Sequence, residues 1–215
     1  MNWNLPNVIT TARIVMAPLL VWLLYRPTAG GRLVAFAVFT LAAVSDLWDG
    51  WLARRRGEIT DYGKLVDPLA DKLLLAAALV PFYLLTESRP ELAGLPLYGH
   101  VPLWVVVVLL GREILVTGLR AVFARRGRVI QASQAGKYKA FVQNLFIGGM
   151  ILWLALQSPA APPAREGFWA AWEVFHGWWV TATLSVALLL TVWSMALYLA
   201  AFRTSAREAG GGESP

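Results

Sequence analysis

The chain has 215 residues, 58% of them hydrophobic, and it contains 11 tryptophans but no cysteine. The missing cysteine excludes disulfides, thiolate metal ligands and a cysteine nucleophile. A formal net charge of +6 is compatible with nucleic-acid binding, but the basic residues are distributed as membrane topology requires, so no nucleic-acid partner is expected.

Six apolar stretches divide the chain, and each is about long enough to cross a hydrocarbon core of about 30 Å. They cover residues 8–25, 31–52, 68–86, 101–122, 138–157 and 177–201. A backbone in lipid must satisfy its own hydrogen bonds, so all of them should be helices. We therefore predict an all-α polytopic membrane protein with six transmembrane helices. These helices should form one domain over residues 1–202, followed by a disordered cytoplasmic tail at 203–215.

The lysines and arginines indicate how the helices are oriented. With both termini in the cytoplasm, the inner connections hold most of the basic residues, and the outer side keeps only Arg26, Arg32, Arg89 and Arg165. This asymmetry predicts a protein of the bacterial cytoplasmic (inner) membrane whose termini and functional side face the cytoplasm. The same charges should attract anionic lipid head groups and phosphate-bearing ligands.

The first residues of the chain could form a short interfacial helix before the first span. Asn7, Thr10 and Arg13 would then share one face of that helix. These residues either cap the helix and place a snorkelling arginine at the surface, or they line a cavity. Spacing alone favours the first interpretation.

Four aspartates lie at the inner ends of the second and third spans, where a carboxylate is costly. Asp49 lies three positions after Asp46, and Asp71 lies four positions after Asp67. Each pair therefore faces one direction from its helix. Two facing pairs predict a cup of four carboxylates.

Four neighbouring carboxylates repel one another unless a cation offsets their charge. Oxygen ligands favour Mg2+ or Mn2+, and a pair of such ions could bridge a pyrophosphate. The alternative is that these aspartates are interfacial residues paired with nearby cations, namely Arg54, Arg55, Arg56 and Lys72.

Small or cationic residues lie between the two aspartate pairs. Gly50, Ala53 and Gly63 would let a ligand approach the backbone closely, and Arg54 would face its phosphates. Together with the aspartates they form a spaced pattern of eight positions between Asp46 and Asp71.

This pattern resembles the signature of the CDP-alcohol phosphatidyltransferase family at every position. Segments 6–13, 111–114, 118–120, 136–139 and 193–199 further resemble the branch of that family whose acceptor is glycerol 3-phosphate. One departure is Ala140, where that branch usually has threonine. The resemblance implies a six-helix fold, a homodimer and a cytoplasm-facing cavity that holds two divalent ions.

The resemblance also implies roles for individual residues. Asp46, Asp49 and Asp67 would be metal ligands, and Asp71 would be both a neighbour of the metals and the general base. Gly50, Ala53, Arg54 and Gly63, together with the first three aspartates, would surround the CDP group of CDP-diacylglycerol. Asp71 would take the proton of the acceptor hydroxyl, whose oxygen attacks the lipid-side phosphorus and releases CMP.

An acceptor that carries a phosphate needs a second group of cations. The candidates are Arg112, Arg120, Lys137 and Lys139. Arg112 lies within the fourth span, so it should face the cavity or pair with Glu113 or an aspartate. Lys137 and Lys139 could equally be residues that only orient the protein in the membrane.

Two other functions are consistent with parts of this pattern. The same enzyme class could use serine, inositol phosphate or phosphatidylglycerol as the acceptor, and only the acceptor site would distinguish these alcohols. An ion-coupled transporter would need acidic or polar residues at several depths of the membrane. The four aspartates instead cluster at one face, which argues against transport.

Overall fold

The computed structural model describes residues 5–56, 61–125, 134–158 and 166–210. Within these ranges the chain is helical apart from short connections and an isolated bridge between Leu95 and Gly99. The helices are α1 (Leu5–Leu24), α2 (Ala29–Arg56), α3 (Asp61–Ser88), α4 (Leu103–Arg125), α5 (Gln134–Leu156) and α6 (Phe168–Gly210). A single turn of 3-10 helix, Pro90–Leu92, follows α3. The predicted all-α class is confirmed.

Five of these helices are long and apolar enough to cross a membrane. Their spans are Asn7–Leu24, Ala29–Asp46, Val66–Ser88, Gly136–Leu156 and Phe168–Ala200. α4 has 23 residues, the same length as α5, but it carries charged residues that include Arg112, Glu113 and Arg120. Charges within a span are tolerated where they face partners inside a bundle, so we treat α4 as the sixth transmembrane helix.

The six helices form a closed ring. α1 packs against α2 and α3, α3 packs against α4, α4 against α6, α6 against α5, and α5 against α2. Each helix directs at least one large apolar side chain into the common core: Leu20, Phe39, Phe82, Leu109, Phe146 and Leu184. Polar groups at the same end of the six helices can therefore meet inside one ring.

Two adjacent glycines allow α5 to approach both of its neighbours. A Cβ atom added to Gly148 would lie 3.3 Å from Phe36 of α2, and one added to Gly149 would lie 3.3 Å from Trp179 of α6. In lipid, helix association depends on close packing rather than on hydrophobic burial, and small residues permit that packing. Gly148 and Gly149 thus hold α2, α5 and α6 together.

Arg32 connects the C-terminal ends of α1 and α5 with the N-terminal part of α2. Its side chain is fully buried and donates to the Leu24 carbonyl at 3.4 Å, the Leu154 carbonyl at 2.6 Å and the Ser158 hydroxyl at 2.9 Å. Leu24 and Leu154 lie in the last turns of α1 and α5, where carbonyls lack helical partners. A cation is also favourable at a helix C-terminus, so Arg32 stabilises both ends.

Two boundaries predicted from the sequence are wrong. α1 runs unbroken from Leu5 to Leu24, so residues 5–13 are its first turns rather than a separate interfacial helix, because their polar face is buried against α2 and α3. α6 continues as a helix to Gly210, so residues 203–210 do not belong to a disordered tail. Residues 203–209 contain neither proline nor glycine, and the first helix-stopping glycine is Gly210. Residues 211–215 lie outside the described residues.

Candidate active site

The centre of the site is the side chain of Arg13, which is only 1% exposed. Its Nη1 contacts carboxylate oxygens of Asp46 on α2 and, at 2.5 Å, of Asp71 on α3. Its Nη2 lies 3.6 Å from Oδ1 of Asp67, also on α3. The structure therefore brings three of the four predicted aspartates together around one guanidinium group.

Thr10 extends this contact network from the preceding turn of α1. Its hydroxyl donates to Oδ1 of Asp67 at 2.5 Å, and Asn7, one further turn back, is 6% exposed. An arginine as deeply buried as Arg13 does not snorkel to the surface, so the interpretation that spacing alone favoured is wrong. The sequence feature that indicates a site role for Arg13 is its position within an apolar span, because a charge there needs a partner inside the bundle.

The three carboxylates are contacted by Arg13 but are still partly exposed. Arg13 contacts one side, yet the side chains of Asp46, Asp67 and Asp71 remain 43%, 45% and 51% exposed. One guanidinium offsets only part of the charge of three carboxylates, so an excess of negative charge remains. Accessible oxygens with an excess of negative charge can bind a cation.

The remaining residues of the predicted pattern lie outside the described side chains. Asp49, Gly50, Ala53 and Arg54 belong to the helical backbone of α2, and Gly63 belongs to that of α3. Their predicted roles in binding the metals and the CDP group stay predictions.

The donor set suits a hard divalent cation because all of its ligands are carboxylate oxygens. Among the described side chains, no three acidic or histidine groups are arranged so that they could hold an ion by themselves, and Arg13 lies between the three carboxylates. The side chain of Asp49, the fourth predicted ligand, is not among the described ones. The predicted Mg2+ or Mn2+ pair therefore also stays a prediction.

A second polar cluster joins α4, α5 and α6. Oε1 of Glu113 accepts hydrogen bonds from Nη1 of Arg112 at 2.8 Å and from Nζ of Lys139. Nη2 of Arg112 donates to the Ser194 hydroxyl at 3.1 Å. Lys139 is 3% exposed, so burial and pairing hold both cations in place. The prediction that Arg112 faces the cavity or pairs with an acid is confirmed.

The other two predicted acceptor cations are exposed and do not contact Glu113 among the described side chains. Arg120 is exposed, and its guanidinium carbon lies 5.8 Å from the ring centroid of Tyr198 on α6. Lys137 is exposed near the start of α5. Arg112 and Lys139 thus form a cation pair around Glu113, Arg120 lies on the same helix as Arg112, and no contact within the described part of the chain assigns Lys137 to the site.

Lys72 connects the aspartates with the second cluster. Its Nζ donates to the Pro68 carbonyl at 2.9 Å, and it lies within electrostatic reach of both Asp71 and Lys139. The alternative in which the aspartates pair with Arg54, Arg55, Arg56 and Lys72 is not tested, because the side chains of the three arginines lie outside the described ones. Lys72 thus places a positive charge near both clusters.

Removing the carboxylate of Glu113 should destabilise the protein, because two buried cations would lose their common partner. We expect Glu113→Gln to lower the free energy of unfolding by about 3 kcal/mol, measured by thermal unfolding in detergent. Glu87→Gln is the matched control, because Glu87 pairs with His100 at 3.2 Å where both side chains are more than 40% exposed. That control should change stability by less than about 1 kcal/mol. Equal effects of the two variants would show that Glu113 has no special structural role.

The fold and the site define an integral membrane protein with a carboxylate cluster on α2 and α3 and a cation pair on α4 and α5 of which Lys139 is buried. Comparison with known proteins agrees with this class. Residues 3–193 match the family described as CDP-alcohol phosphatidyltransferase. The chain belongs to the CDP-alcohol phosphatidyltransferase family, and its enzyme class is that of a transferase.

Several relatives resemble the chain over most of its length. The chain is 35% identical over 191 residues to the CDP-diacylglycerol--glycerol-3-phosphate 3-phosphatidyltransferase of Bacillus subtilis (strain 168), a match that covers 82% of this chain and 92% of that protein. It is 36% identical over 201 residues to the Pseudomonas fluorescens protein of the same name, covering 92% and 89% of the two chains.

A Mycobacterium tuberculosis (strain ATCC 25618 / H37Rv) protein with the name "Probable phosphatidylglycerophosphate synthase" is more similar over a shorter segment. The chain is 44% identical to it over 154 residues, which cover 69% of this chain and 66% of that protein. The shared segment therefore spans just under two thirds of that relative.

Proposed function

We propose that the chain transfers the phosphatidyl group of CDP-diacylglycerol to glycerol 3-phosphate and releases phosphatidylglycerophosphate and CMP. The observation that carries this proposal is the convergence of Asp46, Asp67 and Asp71 on Arg13, with the carboxylates open on their other side. The predicted enzyme class is confirmed by the family match. The predicted acceptor, glycerol 3-phosphate, is the one in the names of the relatives from Bacillus subtilis and Pseudomonas fluorescens.

The carboxylates would hold the divalent cations of the reaction. Asp46, Asp49 and Asp67 would be ligands of two Mg2+ or Mn2+ ions, with Asp71 beside them. Bound there, the ions would neutralise the pyrophosphate of CDP-diacylglycerol. Arg13 and Thr10 would fix the orientations of the carboxylates, which is the kind of support that a metal site requires.

Asp71 is the proposed general base because its side chain is both oriented by Arg13 and about half exposed. It would accept the proton of an acceptor hydroxyl as the hydroxyl oxygen forms a bond to the lipid-side phosphorus. The bond between that phosphorus and the bridging oxygen breaks, and CMP leaves with the oxygen. No covalent enzyme intermediate is required, because positioning and electrostatic stabilisation are sufficient.

The cation pair of Arg112 and Lys139 would bind the phosphate of the acceptor. Two cations share one carboxylate in this cluster, so a net positive charge is left for an anionic ligand. Phosphate is recognised well by a fixed guanidinium group. Serine has no phosphate and would leave this charge unused, so the cluster favours a phosphate-bearing acceptor.

The proposed location is the bacterial inner membrane, with both termini and the active site on the cytoplasmic side. The positive-inside distribution of basic residues supports this orientation, and membrane lipids would surround the helix ring. A homodimer is proposed from the family resemblance, and chemical cross-linking in native membranes would test it. A chain that yields no cross-linked dimer at any linker length would contradict this part of the proposal.

An assay of CMP release tests the reaction. Purified protein in detergent would be supplied with CDP-diacylglycerol, Mg2+ or Mn2+, and one of several alcohols: glycerol 3-phosphate, inositol phosphate, serine or phosphatidylglycerol. We expect CMP release with glycerol 3-phosphate, and none after chelation of the metal. Release with serine but not with glycerol 3-phosphate would overturn the assigned acceptor.

A further inference from the structure

Tyr198 on α6 carries a polar atom that the interactions described so far do not use. The side chain is only 7% exposed, and its hydroxyl has no hydrogen-bonding partner among the described residues. Buried hydroxyl groups nearly always have a partner, because leaving one unpaired costs its lost hydration. An unpaired buried hydroxyl therefore calls for a partner that binds during function.

The position of Tyr198 relates it to the cations proposed for the acceptor. Tyr198 lies one helical turn after Ser194, whose hydroxyl binds Arg112, and residues four apart share a helix face. Long helical side chains lean back towards the N-terminus of the helix, which directs the Tyr198 ring towards the turn that contains Ser194. The guanidinium of Arg120 lies over the same ring, 5.8 Å from its centroid.

A neighbouring contact between α4 and α6 is formed by apolar aromatic side chains alone. One turn further along α6, Phe202 packs edge-on against Phe123 of α4, with ring centroids 4.9 Å apart. A phenylalanine thus serves where α4 and α6 need only an aromatic contact. A tyrosine one turn away, buried and with an unpaired hydroxyl, offers a hydrogen-bond donor that packing does not require.

We propose that Tyr198 is a binding residue for the phosphate of the acceptor alcohol, with its Oη donating to a phosphate oxygen beside Arg112 and Arg120. This inference rests on the proposed function and adds residues of α6 to the acceptor site. A hydroxyl that donates to an anionic oxygen makes a short, charge-assisted hydrogen bond. The nucleotide is a less suitable partner, because α6 packs mainly against α4 and α5, whereas the aspartates surround Arg13 of α1.

The variant Tyr198→Phe removes only the hydroxyl and so separates binding from folding. We expect the KM for glycerol 3-phosphate to rise roughly tenfold, the loss expected for one hydrogen bond to a charged group. The KM for CDP-diacylglycerol and the kcat should change by less than about twofold. Thermal stability should stay the same or increase, because the hydroxyl has no partner to lose.

Tyr98→Phe is the matched control at the other end of the bundle. The Tyr98 hydroxyl is 3.1 Å from the Ser185 hydroxyl, so its removal should lower thermal stability while leaving the KM for glycerol 3-phosphate unchanged. If Tyr198→Phe behaves in the same way as this control, the Tyr198 hydroxyl is structural and the proposal is wrong. An unchanged KM for glycerol 3-phosphate in Tyr198→Phe also overturns it, whatever the stability.

Direct binding separates this proposal from the proposed function. Isothermal titration without CDP-diacylglycerol would compare inorganic phosphate, glycerol 3-phosphate and glycerol in the wild type and in Tyr198→Phe. Weaker binding of both phosphate compounds by the variant supports the proposal even if the wild type uses another phosphate-bearing acceptor. Equal binding by the two proteins contradicts it. A wild type that releases CMP with serine alone would refute the proposed function and leave these binding results to decide the role of Tyr198.

Discussion

Asp71→Asn is expected to reduce kcat for CMP release about a thousandfold, within the range attributed to a positioned general base. The amide keeps the size of the carboxylate but cannot accept the acceptor proton. Asp71 is about half exposed and contacts Arg13 at 2.5 Å, so the variant should still fold. Turnover at saturating metal and both substrates is the measurement, together with binding of CDP-diacylglycerol, which should change little.

Asp67→Asn provides the comparison for this experiment. Asp67 accepts a hydrogen bond from Thr10 and lies 3.6 Å from the guanidinium of Arg13, and we assign it to the metals rather than to proton transfer. Its replacement should raise the metal concentration needed for activity. Substantial turnover by Asp71→Asn at saturating metal would remove Asp71 as the base.

Arg13→Gln should have the second large effect, on both stability and activity. The buried guanidinium is the common partner of Asp46, Asp67 and Asp71, and without it the carboxylates repel one another. We expect a loss of about 2 kcal/mol in the free energy of unfolding, less than for a fully buried pair because the carboxylates are about half exposed. Thermal unfolding in the presence of a chelator measures this loss.

Added metal should reverse part of the effect of Arg13→Gln. A divalent cation among the carboxylates would offset the charge that Arg13 no longer offsets, so Mg2+ should stabilise the variant more than the wild type. Activity should remain low even with saturating metal, because the orientations of the carboxylates are no longer fixed. An Arg13→Gln protein that retains wild-type stability in chelator would contradict the assigned role of this residue.

The sequence was sufficient to predict the helical membrane fold and the aspartate pairs. Long apolar stretches dictate helices in lipid, and the spacing of the aspartates in each pair places them on one helix face. The limits of α1 and α6 were not predictable in the same way. Asn7, Thr10 and Arg13 are polar enough for an interface but are buried by partners on other helices, and residues 203–210 form a helix although they extend beyond the apolar segment.

The contacts between helices explain why the sequence alone did not predict how the side chains of the candidate site pair with one another. Thr10 and Arg13 are distant from Asp67 in sequence, and their contacts with it depend on how α1 packs against α3. Local spacing carries no information about such a pairing. The one usable signal was the cost of a charge in an apolar span, which also predicted that Arg112 pairs with an acid.

From the sequence, Ser194 and Tyr198 belong only to a segment that resembles the family. The sequence assigns neither residue a role. Both are polar residues on a long apolar helix, so composition gave no reason to separate them from other hydroxyl-bearing residues of α6. Several of those residues bond to their own helix backbone, as Thr183 and Thr191 do. The three-dimensional contact with Arg112 and the unpaired Tyr198 hydroxyl distinguish these two.

Binding of Mn2+ to the purified protein, followed by electron paramagnetic resonance, tests the central claim that the aspartates of α2 and α3 hold divalent cations. We expect the wild type with CDP-diacylglycerol to bind two Mn2+ ions per chain, Asp46→Asn and Asp67→Asn to bind fewer or more weakly, and Arg112→Gln to bind as the wild type does. Undiminished Mn2+ binding by both aspartate variants would contradict the account.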